Sequence, residues 1–381
     1  MWILTRNNLL SIMKILNIYN NAPLYREGIF TLIDKELDCD WFFGEAVGDI
    51  KQMDTSKMRG KVTASKTVNL LGGKAYWQKG VVRQLFKKEY SHYVLLGEER
   101  SLSTWMFLIL SVFFPKKKIY FWSHGAYGKE SRLKVLIERI FWSFIDGAVL
   151  YGNYAKGVMT QAGFNTKNYH VIHNSLNYNR QIELRNSGLA SDVFIQHFGN
   201  DNPVVIFIGR LTQVKKLDML VGAISLLKHK GEKYNLVFVG DGVEGENLKK
   251  QVKRLDISKQ VWFYGACYDE KTNAELIYNA DLCVAPGNVG LTAMHTMVFG
   301  TPVISHNNFP WQMPEFEAIL PGETGDFFEY QNLQSLVETI SKWFASKKDS
   351  REEVRQTCYH EIDTQWNPKF QIEVYKKMLL Q

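Results

Sequence analysis

The sequence predicts an α/β protein built from two doubly wound domains. Short apolar runs rich in β-branched residues alternate with helical patterns, which favours parallel sheets that helices cover on both faces. The alternation occurs twice, and a polar stretch at about residues 179–202 separates the two series and is predicted to be a linker. The length of 381 residues also favours two domains, because a typical domain holds about 100–150 residues.

The strands predicted in each series end in turn residues. In chain order they are KILNIYNN, HYVLLG, KIYFWSHG, GAVLYGN and YHVIHNS, then PVVIFIGR, YNLVFVGDG, KQVWFYGA, ADLCVAPG and TPVISHNN. We expect a first domain over residues 1–186, a second over 187–361, and a C-terminal helix at 362–381 that packs back toward the first domain. Because the first strand opens next to Met13, residues 1–12 are predicted to be an extension. Two such domains are expected to face a central cleft with the carboxyl ends of their strands, where open α/β sheets bind ligands.

Positive charge is concentrated in the first half of the chain. Residues 1–190 contain 26 Lys and Arg against 15 Asp and Glu, a balance of +11, and the remainder contains 20 against 24, a balance of −4. Such a basic half favours an anionic partner such as a phospholipid surface or a phosphorylated acceptor. Nucleic acid is not expected, because none of the usual nucleic-acid-binding signatures occurs. The longest apolar run, residues 105–115, is shorter than the ~20 residues that span a bilayer, and we favour a buried helix there over membrane insertion.

The sequence does not indicate a metal or a disulfide framework. The four cysteines lie far apart with neither a CxxC pair nor a His at ligand spacing, which predicts reduced thiols. Asp38-Cys39-Asp40 has the DxD pattern of metal-dependent transferases, but it lies early in the chain between two apolar runs, and chance explains it better. No metal or other cofactor is therefore expected.

The first candidate site is a pair of cations that follows a buried strand. In IFIGRLTQVKKLD the strand ends at Gly209, and Arg210 and Lys215 follow before a helix begins. Arginine supplies a planar fork of donors and lysine a compact charge, and together they suit a diphosphate. An exposed turn that happens to carry two cations is the alternative.

The second candidate site is a glycine-rich loop between a strand and a helix. The loop PGNVG follows the strand DLCVA, and a helix is predicted to begin near Leu291. The N–H groups of Gly290, Leu291 and Thr292 then point outward at the positive end of the helix dipole, which favours a phosphate. His295 lies one turn further along and can face the same ligand.

On these residues the sequence resembles the retaining glycosyltransferases of family 4, which have the GT-B fold of two Rossmann-like domains. Their second domain reads GRL, three residues, K, two residues, D; Gly209, Arg210, Leu211, Lys215 and Asp218 match this pattern. VFVGDGVEGENLK, FYGACYDEKTNAELIYNADLCVAP, TPVISHNN and MPEFEAILPGETGDFF resemble further segments of that domain. The likeness is close over roughly residues 200–330 and looser before them.

One departure concerns two glutamates that the family carries eight positions apart, one toward the donor sugar and one toward the ribose. Gly287 and His295 stand at these positions, while Gly290 and Leu291 fall where the phosphate-binding pair belongs. Because the cations and the helix N-terminus occur together, we interpret the change as altered donor recognition in an active enzyme. His295 is a candidate replacement for the ribose-binding group.

The resemblance implies further site residues. His124, in FWSHG, corresponds to the family's strand-end histidine and is expected to donate to the donor sugar, with a capping role as the alternative. Glu315 falls at the family's Pro-Glu pair near the cleft, and Glu317 is the other candidate. The first β-α turn has Gly28 where the family often has a glycine pair, and neither Gly28 nor Arg26 receives a firm role.

The resemblance implies transfer of a sugar, with retention, from a UDP- or GDP-sugar to a hydroxyl of a glycan or lipid-linked acceptor. Arg210, Lys215 and the N–H groups of Gly290 to Thr292 are expected to stabilise the departing diphosphate without a metal. The implied setting is surface polysaccharide biosynthesis in the cytoplasm, with the basic domain at the inner face of the plasma membrane. A nucleotide-sugar epimerase of the same fold and a non-catalytic paralogue that binds sugar nucleotides are the alternatives.

Overall fold

The computed structural model describes residues 10, 12–45, 50–347 and 350–381. They form two compact units: the first comprises the described residues up to Asn177 together with Asn367–Gln381, and the second comprises Tyr178–Trp366. The predicted extension over residues 1–12 lies outside the described residues except at positions 10 and 12.

Strands and helices alternate along both units. The strands are β1 (Ile15–Tyr19), β2 (Cys39–Gly44), β3 (Val62–Ser65), β4 (Thr67–Leu70), β5 (Ala75–Gln78), β6 (His92–Leu96), β7 (Lys118–Ser123), β8 (Gly147–Leu150), β9 (Tyr169–Val171), β10 (Val204–Ile208), β11 (Asn235–Val239), β12 (Val261–Gly265), β13 (Leu282–Ala285), β14 (Val303–His306) and β15 (Gly325–Phe328). The helices are α1 (Glu27–Glu36), α2 (Val81–Gln84), α3 (Leu102–Ser111), α4 (Arg132–Trp142), α5 (Asn153–Gln161), α6 (Tyr178–Arg185), α7 (Val193–Phe198), α8 (Leu217–His229), α9 (Gly245–Arg254), α10 (Glu270–Asn279), α11 (Thr292–Met297), α12 (Leu333–Lys347), α13 (Arg351–Gln365) and α14 (Pro368–Leu379).

Each unit is built on a parallel sheet. Among the described residues of the first unit, the strand order is β3-β2-β1-β6-β7-β8-β9, and β4 and β5 form a separate antiparallel hairpin. The second unit has the order β12-β11-β10-β13-β14-β15, the doubly wound order of Rossmann-like domains. Every residue of β1, β10 and β11 is buried, as expected for parallel strands covered on both faces.

The sheet order of the second unit positions the candidate site. β10 and β13 are neighbours that pair in parallel through Val205 and Leu282. Their carboxyl ends therefore lie at the same edge, and the loop after β10 adjoins the glycine-rich loop after β13. The chain runs outward from β10 through β11 to β12 and then returns to β13 on the other side of β10, so this is the point where the strand order reverses and where such sheets bind ligands.

Helix α14 belongs to the first unit. The Tyr375 hydroxyl donates to Asn17 Oδ1 at 2.6 Å, and Lys376 Nζ lies 2.6 Å from Glu36 Oε2. Its apolar side chains complete the core around β1 and α1 with Ile372, Met378 and Leu379. The last residues thus contribute a helix to the sheet with which the chain begins.

The polar stretch at 179–202 is not the predicted linker. It holds α7 and most of α6, and Gln181 of α6 donates to Glu270 of α10 at 3.0 Å. The sequence prediction was wrong because solvent-facing polar residues dominate α6, and α7 is only six residues long, so neither helix leaves a clear periodic signal.

The apolar run at 105–115 is only partly the buried helix that was predicted. Phe107 and Leu108 of α3 are buried, but Met106, Ile109 and Phe113 are exposed. Only one face of a helix can meet the sheet, so the remaining apolar side chains point to solvent. Within the described residues, every helix is too short or too polar to cross a bilayer.

Candidate functional site

The loop after β10 carries Arg210 and Lys215. Leu211 anchors the loop in the core with 3% of its surface exposed, and a 3-10 turn over Gln213–Lys215 leads into α8. Arg210 is exposed and forms no ion pair among the described residues. Two cations are thereby presented next to the carboxyl end of the central strand.

Lys215 is held against the glycine-rich loop. Its Nζ atom donates to the backbone oxygen of Asn288 at 2.7 Å and to Asn288 Oδ1 at 2.9 Å. Burial lowers the pKa of Lys215 to about 8; the carboxylate of Glu315 opposes this shift, and the charge of Arg210 adds to it. An ammonium has three N–H groups, so one remains after the two bonds to Asn288.

The glycine-rich loop is fixed by hydrogen bonds from two sides. Gly287 N donates to Lys215 O at 2.9 Å, and Val289 N donates to Oε1 of the buried Gln312 at 2.9 Å. Gly290 has φ +54°, in the left-handed region that favours glycine. The loop is therefore a rigid turn whose shape depends on both β10 and β14.

Gly287 has no room for a side chain. A Cβ atom there would lie 2.0 Å from Val214 O and 2.7 Å from Lys215 Cα, which are both backbone atoms. The glutamate that the resembled family carries at this position cannot be accommodated in this loop. The departure seen in the sequence is thus built into the packing of the two loops.

The backbone at Gly290, Leu291 and Thr292 lies at the start of α11. Ala293 N donates to Gly290 O, and His295 N donates to Leu291 O. The N–H groups of Gly290, Leu291 and Thr292 come before the first of these donors in the chain. The Thr292 hydroxyl donates to Ile208 O at 3.0 Å, which fastens α11 to the end of β10. A Cβ built on Gly209 would lie 3.6 Å from the same hydroxyl.

His295 faces a carboxylate that the sequence analysis missed. Its Nε2 atom lies 3.1 Å from Oε1 of Glu270, the first residue of α10, and Gln181 Nε2 donates to the same oxygen at 3.0 Å. Burial alone would raise the pKa of Glu270, but the His295 ring and the Gln181 amide hold it below its usual value. Glu270 is therefore an ionised acceptor whose Oε2 atom is not used by these two partners.

The two candidate carboxylates of the turn Pro314–Ala318 differ in burial. Glu315 is buried and close enough to act electrostatically on Lys215, whereas Glu317 is partly exposed. Glu315 is therefore the one associated with the cations. Its position suits balancing their charge better than direct contact with a phosphate, because like charges repel.

His124 lies in the first unit, directly after β7. Its ring centroid is 4.7 Å from that of Tyr151, and Nδ1 is buried without a hydrogen-bond partner among the described residues. Burial, and secondly the charge of Arg26, lower the pKa of His124 to about 4. The imidazole is thus neutral near pH 7 and can donate or accept a hydrogen bond. A Cβ on Gly28 would come within 3.3 Å of Leu176 O and of Pro368 Cγ, so this glycine serves close packing.

The acidic pair of the DxD pattern has structural partners. Lys14 Nζ lies 2.6 Å from Asp38 Oδ1 and 3.2 Å from Asp40 Oδ1. Asp40 Oδ2 also accepts from the Tyr90 hydroxyl at 2.8 Å. A search of the described residues finds no cluster of three or more His, Cys, Asp or Glu side chains able to hold a metal ion.

The structure thus brings most of the predicted residues together in the second unit and leaves His124 in the first. Gathered at the carboxyl ends of β10 and β13 are Gly209, Arg210, Lys215, Gly290, Leu291, Thr292, His295 and Glu315. Sequence reasoning missed Glu270 and Asn288. A signal for Glu270 was its place in FYGACYDEKT, a segment that already resembled the base-binding region.

Comparison with known proteins finds a family model that matches a large part of the second unit. Residues 191–360 match the family model described as glycosyl transferases group 1. The matched segment contains both cations, the glycine-rich loop and Glu270.

Two curated relatives are similar to about a third of this chain. An uncharacterized glycosyltransferase of Haemophilus influenzae is 30% identical over 147 residues, 37% of this chain and 39% of that protein. The putative glycosyltransferase EpsD of Bacillus subtilis is 30% identical over 131 residues, 34% of this chain and 32% of that protein. The matches thus span less than half the length of these relatives.

A solved structure extends the comparison to the fold of the chain. Anabaena HepE in complex with UDP matches with a TM-score of 0.71 and 17% identity, covering 97% of this chain and 100% of that one. The chain accordingly has the GT-B fold of glycosyltransferases, with two Rossmann-like parallel sheets. The predicted fold class is confirmed.

Proposed function

We propose that the protein is a retaining glycosyltransferase that transfers a sugar from a nucleoside-diphosphate sugar to an acceptor hydroxyl. The observation that carries this proposal is the pair of cations Arg210 and Lys215 beside the loop at 286–291, within the segment that matches the glycosyl transferases group 1 model. HepE, which shares the fold, has been solved with UDP and with UDP-glucose. We call Arg210, Lys215 and the loop at 286–291 the donor clamp. A UDP- or GDP-sugar is the donor class that suits this clamp.

The clamp acts on the leaving diphosphate. Breaking the bond between the anomeric carbon and the phosphate oxygen leaves negative charge on the diphosphate, and preorganised cations and N–H donors stabilise this charge. Arg210 supplies a fork of donors, and Lys215 supplies the N–H that remains after its two bonds to Asn288. The acceptor oxygen bonds to the anomeric carbon on the same face, and its proton passes to the leaving phosphate oxygen.

Glu270 binds the nucleoside part of the donor. Its carboxylate is ionised, and His295 and Gln181 orient it through contacts with Oε1. Neither of these two residues bonds to Oε2. A carboxylate suits a pair of ribose hydroxyls because it can accept two hydrogen bonds. In this proposal His295 is a positioning residue for Glu270.

A turnover assay tests the transfer. Purified protein with UDP- or GDP-sugars and acceptor glycans is expected to release UDP or GDP and to form a product with the anomeric configuration of the donor, observed by NMR. Arg210→Ala should remove the activity, with the exposed Arg254→Ala as the matched control. Epimerised free sugar without a glycoside product would indicate the epimerase, and binding without turnover would indicate a non-catalytic protein.

We further propose that the first unit docks on an anionic bilayer, where a lipid-linked acceptor is found. The docking surface consists of exposed apolar residues: Met106 and Ile109 of α3, Phe113 just after α3, and Leu133, Leu136, Ile137 and Ile140 of α4. All seven are exposed, and Phe113 reaches 76%. Trp105 and Phe141 join the two helices with ring centroids 4.8 Å apart.

Helix α4 exposes apolar residues on its solvent side. Leu133, Leu136, Ile137 and Ile140 face solvent, whereas Glu138 is buried along with Phe141 and Trp142, and burial raises the pKa of the Glu138 carboxyl to about 7. Exposed apolar residues in this number mark an interaction site. The exposed cations Lys116, Arg132 and Arg139 flank it, and this combination favours anionic lipid.

Vesicle co-sedimentation tests the docking surface. Binding to phosphatidylglycerol vesicles is expected, with weaker binding to phosphatidylcholine and a loss of binding in the double variant Phe113→Ser, Ile137→Gln. Val243→Gln, at an exposed apolar position of the second unit, is the matched control. A dimer that the double variant dissociates, without vesicle binding, would contradict the lipid proposal.

A further inference from the structure

Arg26 is a buried cation inside an aromatic box of the first unit. Only 7% of its surface is exposed. Its guanidinium carbon lies 5.4–6.0 Å from five ring centroids, those of Tyr19, Tyr25, Phe30, Trp122 and Tyr151. The guanidinium donates to the Tyr151 hydroxyl, yet no carboxylate among the described residues forms an ion pair with it. Aromatic faces attract a cation, but they do not neutralise it.

The groups around this cation have more hydrogen-bond donors than acceptors. In this cluster, four polar atoms are buried without a hydrogen-bond partner among the described residues: Tyr19 Oη, Arg26 Nε, Trp122 Nε1 and His124 Nδ1. The arginine and tryptophan atoms are donors only, and the tyrosine hydroxyl can donate. Buried donors without acceptors are destabilising and are rare in folded proteins. A ligand with acceptor oxygens and a negative charge would accept hydrogen bonds from these donors and would neutralise the Arg26 cation.

The cluster also has the position of a ligand site. Tyr19 is the last residue of β1, and Trp122 and His124 lie at the carboxyl end of β7. In open parallel sheets this edge binds ligands. The His124 ring is neutral because burial and the Arg26 charge lower its pKa to about 4, so Arg26 carries the charge of the cluster.

We propose that Arg26, Tyr19, Trp122 and His124 form a binding site for the oxyanion of an acidic saccharide. The oxyanion is a carboxylate or a phosphate ester, since both present several acceptor oxygens to an arginine. The anion site itself is independent of the donor clamp in the second unit. Its assignment to the acceptor saccharide rests on the proposed function.

Ligand binding to the full chain tests the site. Calorimetry and ligand-observed NMR are run with glucuronate, glucose 6-phosphate and neutral glucose. We expect the acids to bind saturably and glucose not to bind. Preference for glucuronate identifies a carboxylate, and preference for glucose 6-phosphate identifies a phosphate ester. Arg26→Gln and Tyr19→Phe should each weaken binding about tenfold or more, as expected when a charge-assisted bond is lost.

Two control variants separate binding from folding. Tyr19→Phe removes a hydroxyl that has no partner, so it should weaken anion binding while leaving the unfolding midpoint unchanged. Tyr375→Phe removes a hydroxyl bonded to Asn17 in the same core, so it should lower the midpoint while leaving anion binding unchanged. Absence of saturable binding in the wild-type protein, or binding that Arg26→Gln and Tyr19→Phe leave intact, would overturn the proposal.

The donor site is tested separately. Arg210→Ala should leave glucuronate binding unchanged while it weakens the binding of UDP or GDP. Anion binding that disappears in Arg210→Ala but persists in Arg26→Gln would place the anion in the second unit and overturn the proposal. Nucleotide binding without anion binding would overturn the anion site and would leave the proposed transferase function standing.

Discussion

The imidazole of His295 and the carboxylate of Glu270 meet with 3.1 Å between Nε2 and Oε1. The family resembled by the sequence has a glutamate at the position of His295, and here a carboxylate reaches the same neighbourhood from α10. In the proposed function, a histidine that orients a carboxylate stands in place of a carboxylate that acts directly. The exchange keeps a negative acceptor one helical turn from the glycine-rich loop.

The role of Glu270 predicts a selective loss of nucleoside recognition. In Glu270→Gln, the affinity for the preferred nucleotide, UDP or GDP, should fall about tenfold or more, because a hydrogen bond to a charged group contributes about 1.5–3 kcal/mol. Affinity for pyrophosphate should not change. Calorimetric titration of both ligands measures the difference, with Glu275→Gln on the same helix as the control. Equal losses for the two ligands would show that Glu270 acts on the phosphate site.

The crowding at Gly287 predicts that even a methyl group there is destabilising. A Cβ would lie 2.0 Å from Val214 O, so the loop must shift, and Gly287→Ala should lower the free energy of unfolding by about 1–3 kcal/mol. Urea unfolding measures this loss. Gly157→Ala is the matched control: its Cβ meets no atom within 4 Å, and alanine in a helix is favoured by up to ~1 kcal/mol. An unchanged midpoint for Gly287→Ala would show that the two loops are not packed as described.

Lys215 predicts a pH dependence of donor binding. Its pKa of about 8 means that the ammonium loses its proton, and with it the attraction to the diphosphate, as the pH rises through 8. The affinity for the donor should therefore be constant below about pH 7.5 and should fall above pH 8. The variant Lys215→Arg keeps its positive charge over this pH range, so its affinity for the donor should not depend on pH. Calorimetry from pH 7 to 9.5 with a nucleotide sugar checks both proteins, and a wild-type affinity that stays flat to pH 9.5 contradicts the prediction.

His124 predicts a pH dependence of stability. Its pKa falls from 6.5 to about 4 in the folded protein, so the unfolded chain binds the proton first as the pH drops. His124 therefore costs stability progressively from pH 6.5 down to 4 and has no effect above that range, with a total on the order of 3 kcal/mol. His124→Gln should be less acid-sensitive than the wild type in this window, as measured by urea unfolding. The exposed His360→Gln serves as the control and should follow the wild type.

The parts of the fold that could be predicted are those whose signal is local. β10 and β13 are uninterrupted apolar runs that end in glycine turns, and both were expected at the places where they occur. β2 was not predicted, because Asp40 interrupts its apolar pattern. That carboxylate is tolerated in the strand because Lys14 and Tyr90 bond it from elsewhere in the unit.

The same distinction holds for the candidate site. Arg210, Lys215 and the glycine-rich loop lie in short segments whose spacing is visible in the sequence. Glu270 and His295 are 25 positions apart, and only the tertiary fold of the second unit brings them together. The exclusion of a side chain at Gly287 likewise depends on the backbone of the distant loop at Lys215. Tertiary contacts of this kind leave no pattern within a sequence window.

Calorimetric titration with UDP and GDP, in the presence of a metal chelator, tests the central claim most directly. The wild-type protein is predicted to bind one of the two nucleotides saturably, and Arg210→Ala is predicted to weaken that binding about tenfold or more, since it removes charge-assisted bonds to the diphosphate. Binding of neither nucleotide, or binding that Arg210→Ala leaves unchanged, would contradict the proposed donor clamp and the transferase function that rests on it.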